Sequence, residues 1–204
     1  MIGAQGHDPL KPLKREKELL QVKDLSVVFS DPDGTLLPAI EQVDLMVNEG
    51  HRLAVVGETG SGKSVLLLAL MGLLPRNAAV TGQIRFKGQD LCRLSEKGFQ
   101  GLRGRHLAYV PQGAGQALNP LMRVDAQVAE AARIHQRLSR SAAMDSAVKI
   151  LQQMGIPHAA TRSRQYPHQY SGGMIQRVLV AMGLVTGASL ILLDEPTKGL
   201  DAEN

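Results

Sequence analysis

The feature that most constrains this chain is a glycine-rich octapeptide in its first third. Residues 57–64 read Gly-Glu-Thr-Gly-Ser-Gly-Lys-Ser, which fits the phosphate-binding pattern of Gly, four residues, Gly-Lys and Ser or Thr. The apolar stretch Leu53–Val56 before it predicts a buried strand, and Val65–Met71 after it predicts a helix. A strand, a tight turn and a helix form the geometry that brings backbone N–H groups and a helix N-terminus against a polyphosphate.

The pattern gives each residue of this loop an expected role. Lys63 is expected to reach the β- and γ-phosphates of a nucleotide, and the Ser64 hydroxyl is expected to bind Mg²⁺. The alternative is a glycine-rich turn with an unrelated lysine, and the flanking strand and helix patterns argue against it. The expected nucleotide-binding residues of the loop are Gly57, Glu58, Thr59, Gly60, Ser61, Gly62, Lys63 and Ser64.

Composition narrows the class of protein and its compartment. The 204 residues are 44% hydrophobic and 21% charged, which is ordinary for a soluble globular protein. The net charge of +4 is a weak basic excess, so no nucleic-acid partner is expected. Cys92 is the single cysteine and suits a reducing compartment.

The sequence has no segment that predicts a membrane crossing. The longest apolar run, 65–74, is about half of what a bilayer crossing requires, and no signal peptide is visible. Any membrane role is therefore expected through a partner.

Periodicity and turn residues predict an antiparallel β region that is interrupted by the glycine-rich loop. Residues 1–18 lack periodicity and predict a disordered lead-in, and the domain is expected to span 19–204. Asp31-Pro32-Asp33-Gly34 is a strong turn signal and predicts a hairpin. Ser95 is expected to cap a short helix. The predicted strands of this half are Leu20–Phe29, Leu37–Val47, Thr81–Phe86 and His106–Val110.

The second half has the pattern of a helical insertion in an α/β chain. Helices are predicted at Val124–Leu138 and Ser141–Met154, within a helical subdomain at about 113–180. Ser171-Gly172-Gly173 is expected to open a further helix that runs to about Thr186. Leu190–Leu193 predicts a fully apolar strand.

Two acidic residues follow that last strand directly. Ligands of parallel α/β sheets bind at the carboxyl ends of strands. Asp194 is therefore expected to hold Mg²⁺, and Glu195 is expected to orient and deprotonate an attacking water. An apolar strand that ends in Asp-Glu is a weak signal alone, and a preceding phosphate loop makes it a strong one.

Five segments, in this order, resemble the ATP-binding subunits of ABC transporters. The segments are GETGSGKS at 57–64, AYVPQ ending at Gln112, YSGGMIQR at 170–177, LILLDEPT at 190–197 and GLD at 199–201. The resemblance covers nearly all of the chain from about Leu20. Three further stretches, FSDPDG, QALNPLMRV and YPHQYSGGM, resemble the ATPases of oligopeptide, dipeptide and nickel importers. The resemblance implies an α/β P-loop NTPase of the ABC ATPase type, with a mixed sheet core, an antiparallel β subdomain and an inserted helical subdomain.

The resemblance also implies a role for each matching residue. Gln112, Glu195 and Lys63 would be catalytic, and Ser64, Gln112 and Asp194 would hold Mg²⁺. Phe29 would stack on adenine, although a strand core residue is the alternative. The turn Ser171, Gly172 and Gly173, with Gln176 and Asp201, would meet the ATP that is bound by a second ABC ATPase subunit. The other implied partners are membrane permease subunits and, indirectly, an external solute-binding protein, so the expected location is the cytoplasmic face of the inner membrane.

The chain departs from that family at its C-terminal end. It stops at Asn204, and no histidine follows His168, whereas the family continues with further core strands and a histidine that contacts the γ-phosphate. We therefore expect a truncated product, an exposed apolar edge or face at Leu190–Leu193, and impaired hydrolysis. Two alternatives stay open: an ABC-type ATPase that acts on DNA or the ribosome, and a nucleotide-binding protein with little or no ATPase activity. The transported solute cannot be read from these residues.

Overall fold

The computed structural model describes residues 17–113 and 117–195. Most of the predicted lead-in, and the GLD motif with Asp201, lie outside these ranges. The described strands are β1 (Glu18–Ser30), β2 (Leu36–Asn48), β3 (Ala78–Phe86), β4 (Gln89–Asp90), β5 (Leu107–Val110) and β6 (Leu190–Leu193). The described helices are α1 (Lys63–Met71), α2 (Glu96–Leu102), α3 (Val124–Gln136), α4 (Arg140–Gln153), α5 (Ala159–Arg162) and α6 (Gly172–Val185), with short 3₁₀ turns at Leu91–Arg93 and Pro167–Gln169.

Four strands form an antiparallel sheet in the order β2-β1-β3-β4. The predicted hairpin is confirmed: β1 pairs with β2, and the turn between them closes with the Gly34 N–H donating to Asp31 O at 2.9 Å. β1 begins at Glu18, at the end of the stretch predicted as lead-in. Alternating apolar residues of β1 point into a core that α1 also enters, and Leu25 and Val27 are fully buried there.

β5 and β6 form a second, parallel sheet. One of its faces packs in the core of β1 and α1, and the other packs in the core of the helical insertion. Tyr109 pairs with Leu192 in its register. One face, including Leu107 and Leu192, joins the core of β1 and α1. The opposite face, including Val110 and Ile191, joins the core of the helical subdomain. This burial on both faces explains why both strands are almost wholly apolar in sequence.

The predicted helical insertion is present as α3, α4 and α6, which pack on one another around buried Val128, Leu151 and Val178. Each of two helices begins one residue after a serine whose hydroxyl accepts a backbone N–H: Ser139 before α4 and Ser171 before α6. The α4 start is therefore one residue earlier than predicted. Within residues 17–113 and 117–195, no helix is long and apolar enough to cross a bilayer.

The prediction of a buried strand at Leu53–Val56 is wrong for this structure. These residues adopt no regular secondary structure, and Leu53, Val55 and Val56 are 52%, 47% and 91% exposed. A strand forms only when a neighbouring backbone accepts its hydrogen bonds, and no described strand pairs with this segment. The exposed apolar edge or face expected at Leu190–Leu193 is found in part. Leu193 is 39% exposed and β6 pairs with β5 alone among the described strands, whereas Leu192 is 7% exposed.

Candidate functional site

The glycine-rich loop turns tightly into α1 at Gly62. Gly60 and Gly62 both have φ of +86°, a left-handed conformation that favours glycine. Gly62 is the N-terminal cap of α1, and its carbonyl accepts the Leu66 N–H at 2.9 Å. Lys63 and Ser64 therefore stand in the first turn of the helix, where unpaired N–H groups and the helix dipole favour an anion. This placement confirms the predicted helix and turn, and the nucleotide contacts of the loop stay a prediction.

The Lys63 ammonium folds back over its own loop. Its Nζ donates to Gly57 O at 2.8 Å and to Glu58 O at 2.7 Å, and it lies 3.4 Å from Ser61 Oγ. These three oxygens surround the ammonium as phosphate oxygens would, so the side chain already points into the concave side of the loop. Residues 57–61 are exposed, so an anion reaches this loop from solvent.

We expect Gly62→Ala to lower the free energy of unfolding by about 3 kcal/mol, because two penalties combine. An alanine at this φ is strained by about 1–2 kcal/mol. Its Cβ would also lie 2.4 Å from Ala39 O, a backbone atom of β2 that cannot rotate away. Urea unfolding followed by circular dichroism measures the change.

Gly60→Ala is the matched control for that substitution. Gly60 has the same φ, but nothing lies within 4 Å of its added Cβ. Its cost is therefore the backbone strain alone, about 1 kcal/mol. Equal losses for the two variants would show that the contact between the loop and β2 has no influence on stability.

The carboxyl ends of β5 and β6 bring three of the predicted residues together. The Gln112 carboxamide, two residues after β5, donates to Glu195 Oε2 at 2.6 Å. The Asp194 N–H donates to Val110 O at 3.0 Å, so the parallel pairing continues past the end of β6. Asp194 is 5% exposed, whereas Glu195 is half-buried and has a φ of 45°. Positive φ is uncommon for a residue other than glycine and often marks a functional position.

Tyr109 is a site residue that the sequence did not reveal. Its hydroxyl donates to Asp194 Oδ2 at 3.1 Å. Burial, followed by the nearby Asp194 charge and the hydrogen bond to it, raises the pKa of Tyr109 to about 12. Tyr109 therefore stays a neutral hydrogen-bond donor at physiological pH. The only sequence signal was its place in AYVPQ, on the strand that precedes the expected Gln112.

The turn that opens α6 is accessible. Ser171 and Gly172 are exposed and Gly173 is half-buried. The Ser171 Oγ accepts the Met174 N–H at 3.3 Å, which fixes the hydroxyl beside the first N–H groups of a fourteen-residue helix. The turn therefore presents N–H donors to a partner that approaches from outside.

The structure gives no support for direct nucleotide contact by Gln176. Its side chain is 6% exposed, and its Nε2 is buried without a hydrogen-bond partner among the described residues. The reason is its place on α6, because the residue lies on a face that packs inside the molecule and not at the open N-terminal end.

Phe29 lies on a surface that leads to the glycine-rich loop. It pairs with Leu37 of β2 and with Ala78 of β3, so the three side chains share one face. Leu37 is 47% exposed. Two residues further along β2, Ala39 touches the loop at Gly62. Phe29 is half-buried against the core, so both the stacking prediction and the core alternative fit this position.

The residues of the site suit Mg²⁺ that is bound jointly with phosphate oxygens. Mg²⁺ in phosphate sites takes one or two carboxylates and completes its shell with water and phosphates. Asp194 offers a buried carboxylate, and Ser64 and Gln112 offer neutral oxygens. Oxygen donors of this kind fit a hard cation. Within the described parts of the chain, no group of three or more His, Cys, Asp or Glu could hold a metal.

Comparison with known proteins identifies the family of this chain. A profile of the ABC transporter family matches residues 40–198. The oligopeptide transport ATP-binding protein OppD of Escherichia coli K12 is 40% identical over 183 residues, which cover 90% of this chain and 54% of that protein. The dipeptide transport ATP-binding protein DppD of Bacillus subtilis 168 is 42% identical over 187 residues, which cover 91% of this chain and 56% of that protein. The chain spans about half the length of these relatives.

The fold also matches solved structures. The ATP-binding cassette MJ0796, solved as a dimer in a post-hydrolysis state with ADP and Pi, superposes with a TM-score of 0.78. The match covers 90% of this chain and 77% of that one at 24% identity, so it concerns the fold alone. It confirms the predicted α/β architecture with an antiparallel sheet and a helical insertion. Since the family profile covers most of the sequence and the curated relatives match nearly all of it, the chain belongs to the ABC transporter family.

Proposed function

We propose that this chain is the ATP-binding and ATP-hydrolysing subunit of an importer for peptides, nickel or a related small solute. The observation that carries the proposal is the hydrogen bond from Gln112 to Glu195, directly beside the buried Asp194. The bond supports the proposal because it joins the segment that follows β5 to the expected general base, which directly follows the expected metal carboxylate. The names of OppD and DppD, which are ATP-binding proteins of oligopeptide and dipeptide transport, support the solute class.

Lys63 and the loop around it form the phosphate half of the proposed site. The Lys63 ammonium would exchange Gly57 O and Glu58 O for β- and γ-phosphate oxygens, which as anions accept stronger hydrogen bonds. The free N–H groups at the start of α1 would hold the same phosphates. Phe29 of β1 would stack against the adenine ring, with its cross-strand partner Leu37, near the start of β2, beside it.

The edge formed by Gln112, Asp194 and Glu195 is the hydrolytic half. MgATP, when bound, supplies the phosphoanhydride bond and the charge neutralisation at its phosphates. Asp194 and the Ser64 hydroxyl would hold the Mg²⁺. Glu195 would accept a proton from the attacking water, and the hydrogen bond from the Gln112 carboxamide would hold the Glu195 carboxylate in place for this transfer.

The exposed turn at Ser171 is the proposed half-site for a second nucleotide. A bound ATP already has its phosphates occupied by the Lys63 loop, so N–H groups elsewhere on the surface suit the ATP of another subunit. We therefore propose a dimer with a second ABC ATPase subunit, closed by ATP and released after hydrolysis. The subunit would act with membrane permeases at the cytoplasmic face, and indirectly with an external solute-binding protein.

A second candidate function is nucleotide binding with little or no hydrolysis. The observation that favours it is the exposed segment Leu53–Val56, which leads into the phosphate loop and pairs with none of the described strands. A loop that is anchored on only one side positions phosphates less well than one that is anchored on both sides, and a small misplacement lowers hydrolysis strongly.

Parallel measurements of ATP binding and phosphate release separate the two candidates. Binding at micromolar ATP together with Mg²⁺-dependent phosphate release supports the importer ATPase, and binding without release supports the second candidate. A chain that neither binds ATP nor releases phosphate would contradict both candidate functions. Co-purification with membrane permeases, and not with nucleic acid, tests the partner class.

A further inference from the structure

The hydroxyl of Tyr109 contacts the carboxylate to which the proposed function assigns Mg²⁺. The donor and the acceptor, Asp194 Oδ2, are 3.1 Å apart. Asp194 is 5% exposed, so its carboxylate exchanges few hydrogen bonds with water. Its orientation therefore depends on the protein groups around it.

Strand register makes this contact a fixed feature of the sheet. Tyr109 pairs with Leu192 across β5 and β6, and Asp194 lies two residues beyond Leu192 on the same face. The tyrosine ring spans that distance towards the carboxyl edge, and its hydroxyl meets the carboxylate there. The ring itself packs with the core that includes Leu107 and Leu192. Phenylalanine would fill that core equally well, so the packing does not require the hydroxyl.

Two donors from one short segment thus face two neighbouring acids. Tyr109 donates to Asp194, and Gln112, three residues further on, donates to Glu195. The Asp194 N–H bond to Val110 O holds the backbone of the acids against the same segment. The segment 109–112 therefore orients both carboxylates at once.

We propose that Tyr109 is a positioning residue for the metal-binding carboxylate of Asp194, an inference that rests on the proposed function. Its hydroxyl engages one carboxylate oxygen and leaves the other oriented for Mg²⁺. Groups that hydrogen-bond to metal ligands fix the ligand geometry, and their loss typically lowers metal affinity about 10- to 100-fold. In this role Tyr109 would act through Asp194 and not by direct contact with metal or nucleotide.

The test uses the full chain with Tyr109→Phe and the matched control Tyr170→Phe. Tyr170 is buried where Tyr109 is partly buried, and its hydroxyl donates to Arg162 O at 2.8 Å and not to Asp194. Fluorescent ATP binding is titrated with Mg²⁺, and also measured in excess chelator. Tyr109→Phe is expected to raise the half-saturating Mg²⁺ concentration about 10-fold with metal-free nucleotide affinity unchanged. Tyr170→Phe is expected to leave the Mg²⁺ dependence unchanged.

A second measurement needs no nucleotide. Urea midpoints are compared for the unmodified chain, Tyr109→Phe, Asp194→Ala and the double variant, because alanine offers the Tyr109 hydroxyl no acceptor. If the hydroxyl engages the carboxylate, the two shifts are not additive, because either change removes the same interaction. Additive shifts would overturn the proposed contact.

The outcomes distinguish the positioning role from the proposed function. A chain without Mg²⁺-dependent ATP binding would refute the proposed function, and the positioning role with it. Normal MgATP binding with an unchanged Mg²⁺ dependence in Tyr109→Phe would overturn the positioning role alone. Equal Mg²⁺ shifts in both tyrosine variants would also overturn it, because the effect would then follow from the loss of any buried hydroxyl.

Discussion

Glu195→Gln is expected to lower ATP hydrolysis about 1000-fold and to leave ATP affinity within about threefold. A positioned general base contributes roughly 10²- to 10⁴-fold to a rate, and an amide cannot accept the proton. The amide oxygen still accepts the Gln112 hydrogen bond that is 2.6 Å long in this structure, so the local geometry survives. Single-turnover assays with protein in excess over ATP measure the rate, and equilibrium binding of a fluorescent ATP analogue measures the affinity.

Glu130→Gln is the control for this substitution. Glu130 is an exposed residue of α3, and the change removes the same charge far from the proposed chemistry. Its hydrolysis rate should match that of the unmodified chain. A Glu195→Gln variant that hydrolyses ATP as fast as Glu130→Gln would exclude Glu195 as the base.

Lys63→Ala is expected to weaken ATP binding about 100-fold. Hydrogen bonds to charged groups contribute about 1.5–3 kcal/mol each, and a loss of about 3 kcal/mol corresponds to roughly 100-fold in Kd. The variant also loses the ammonium contacts to Gly57 O and Glu58 O, which hold the loop closed. Isothermal titration calorimetry with ATP and Mg²⁺ measures the change.

Lys97→Ala is the control for Lys63→Ala, because it removes the same charge and the same side-chain atoms. Lys97 is exposed on α2, outside the loop, so ATP affinity should stay within about twofold. An unaltered affinity in Lys63→Ala would contradict the assignment of residues 57–64 as the phosphate site.

Local patterns predicted most of the fold because the residues that set it are near neighbours. The hairpin follows from the turn at Asp31–Gly34, and the start of α6 follows from Ser171, whose hydroxyl caps it. The largely apolar strands β5 and β6 were recognisable because both of their faces contribute to a core.

The same reasoning failed where an element depends on a distant partner. Leu53–Val56 has the composition of a buried strand, yet no described strand pairs with it and its side chains are exposed. Composition indicates that a segment can form a strand, but the strand forms only where another strand lies beside it. The nucleotide contact expected of Gln176 stays a prediction, and its motif did not indicate that its side chain is buried on α6.

The site itself was predictable in part. The pattern placed Gln112 and Glu195 in one site, and the structure joins them by a hydrogen bond. Tyr109 was missed because its contact with Asp194 depends on the register between two strands that are 80 residues apart in sequence. Register between distant strands is set by tertiary packing, which no local pattern encodes.

The central claim is that the Lys63 loop of one subunit and the Ser171 turn of another close over the same ATP. Sedimentation velocity of the Glu195→Gln chain, with and without ATP and Mg²⁺, tests it most directly. We expect ATP to convert a monomer into a dimer, and we expect Ser171→Arg to abolish that dimer while ATP affinity in the monomer stays unchanged. A chain that binds ATP through Lys63 but stays monomeric at saturating ATP, or whose dimer is unaffected by Ser171→Arg, would contradict the claim.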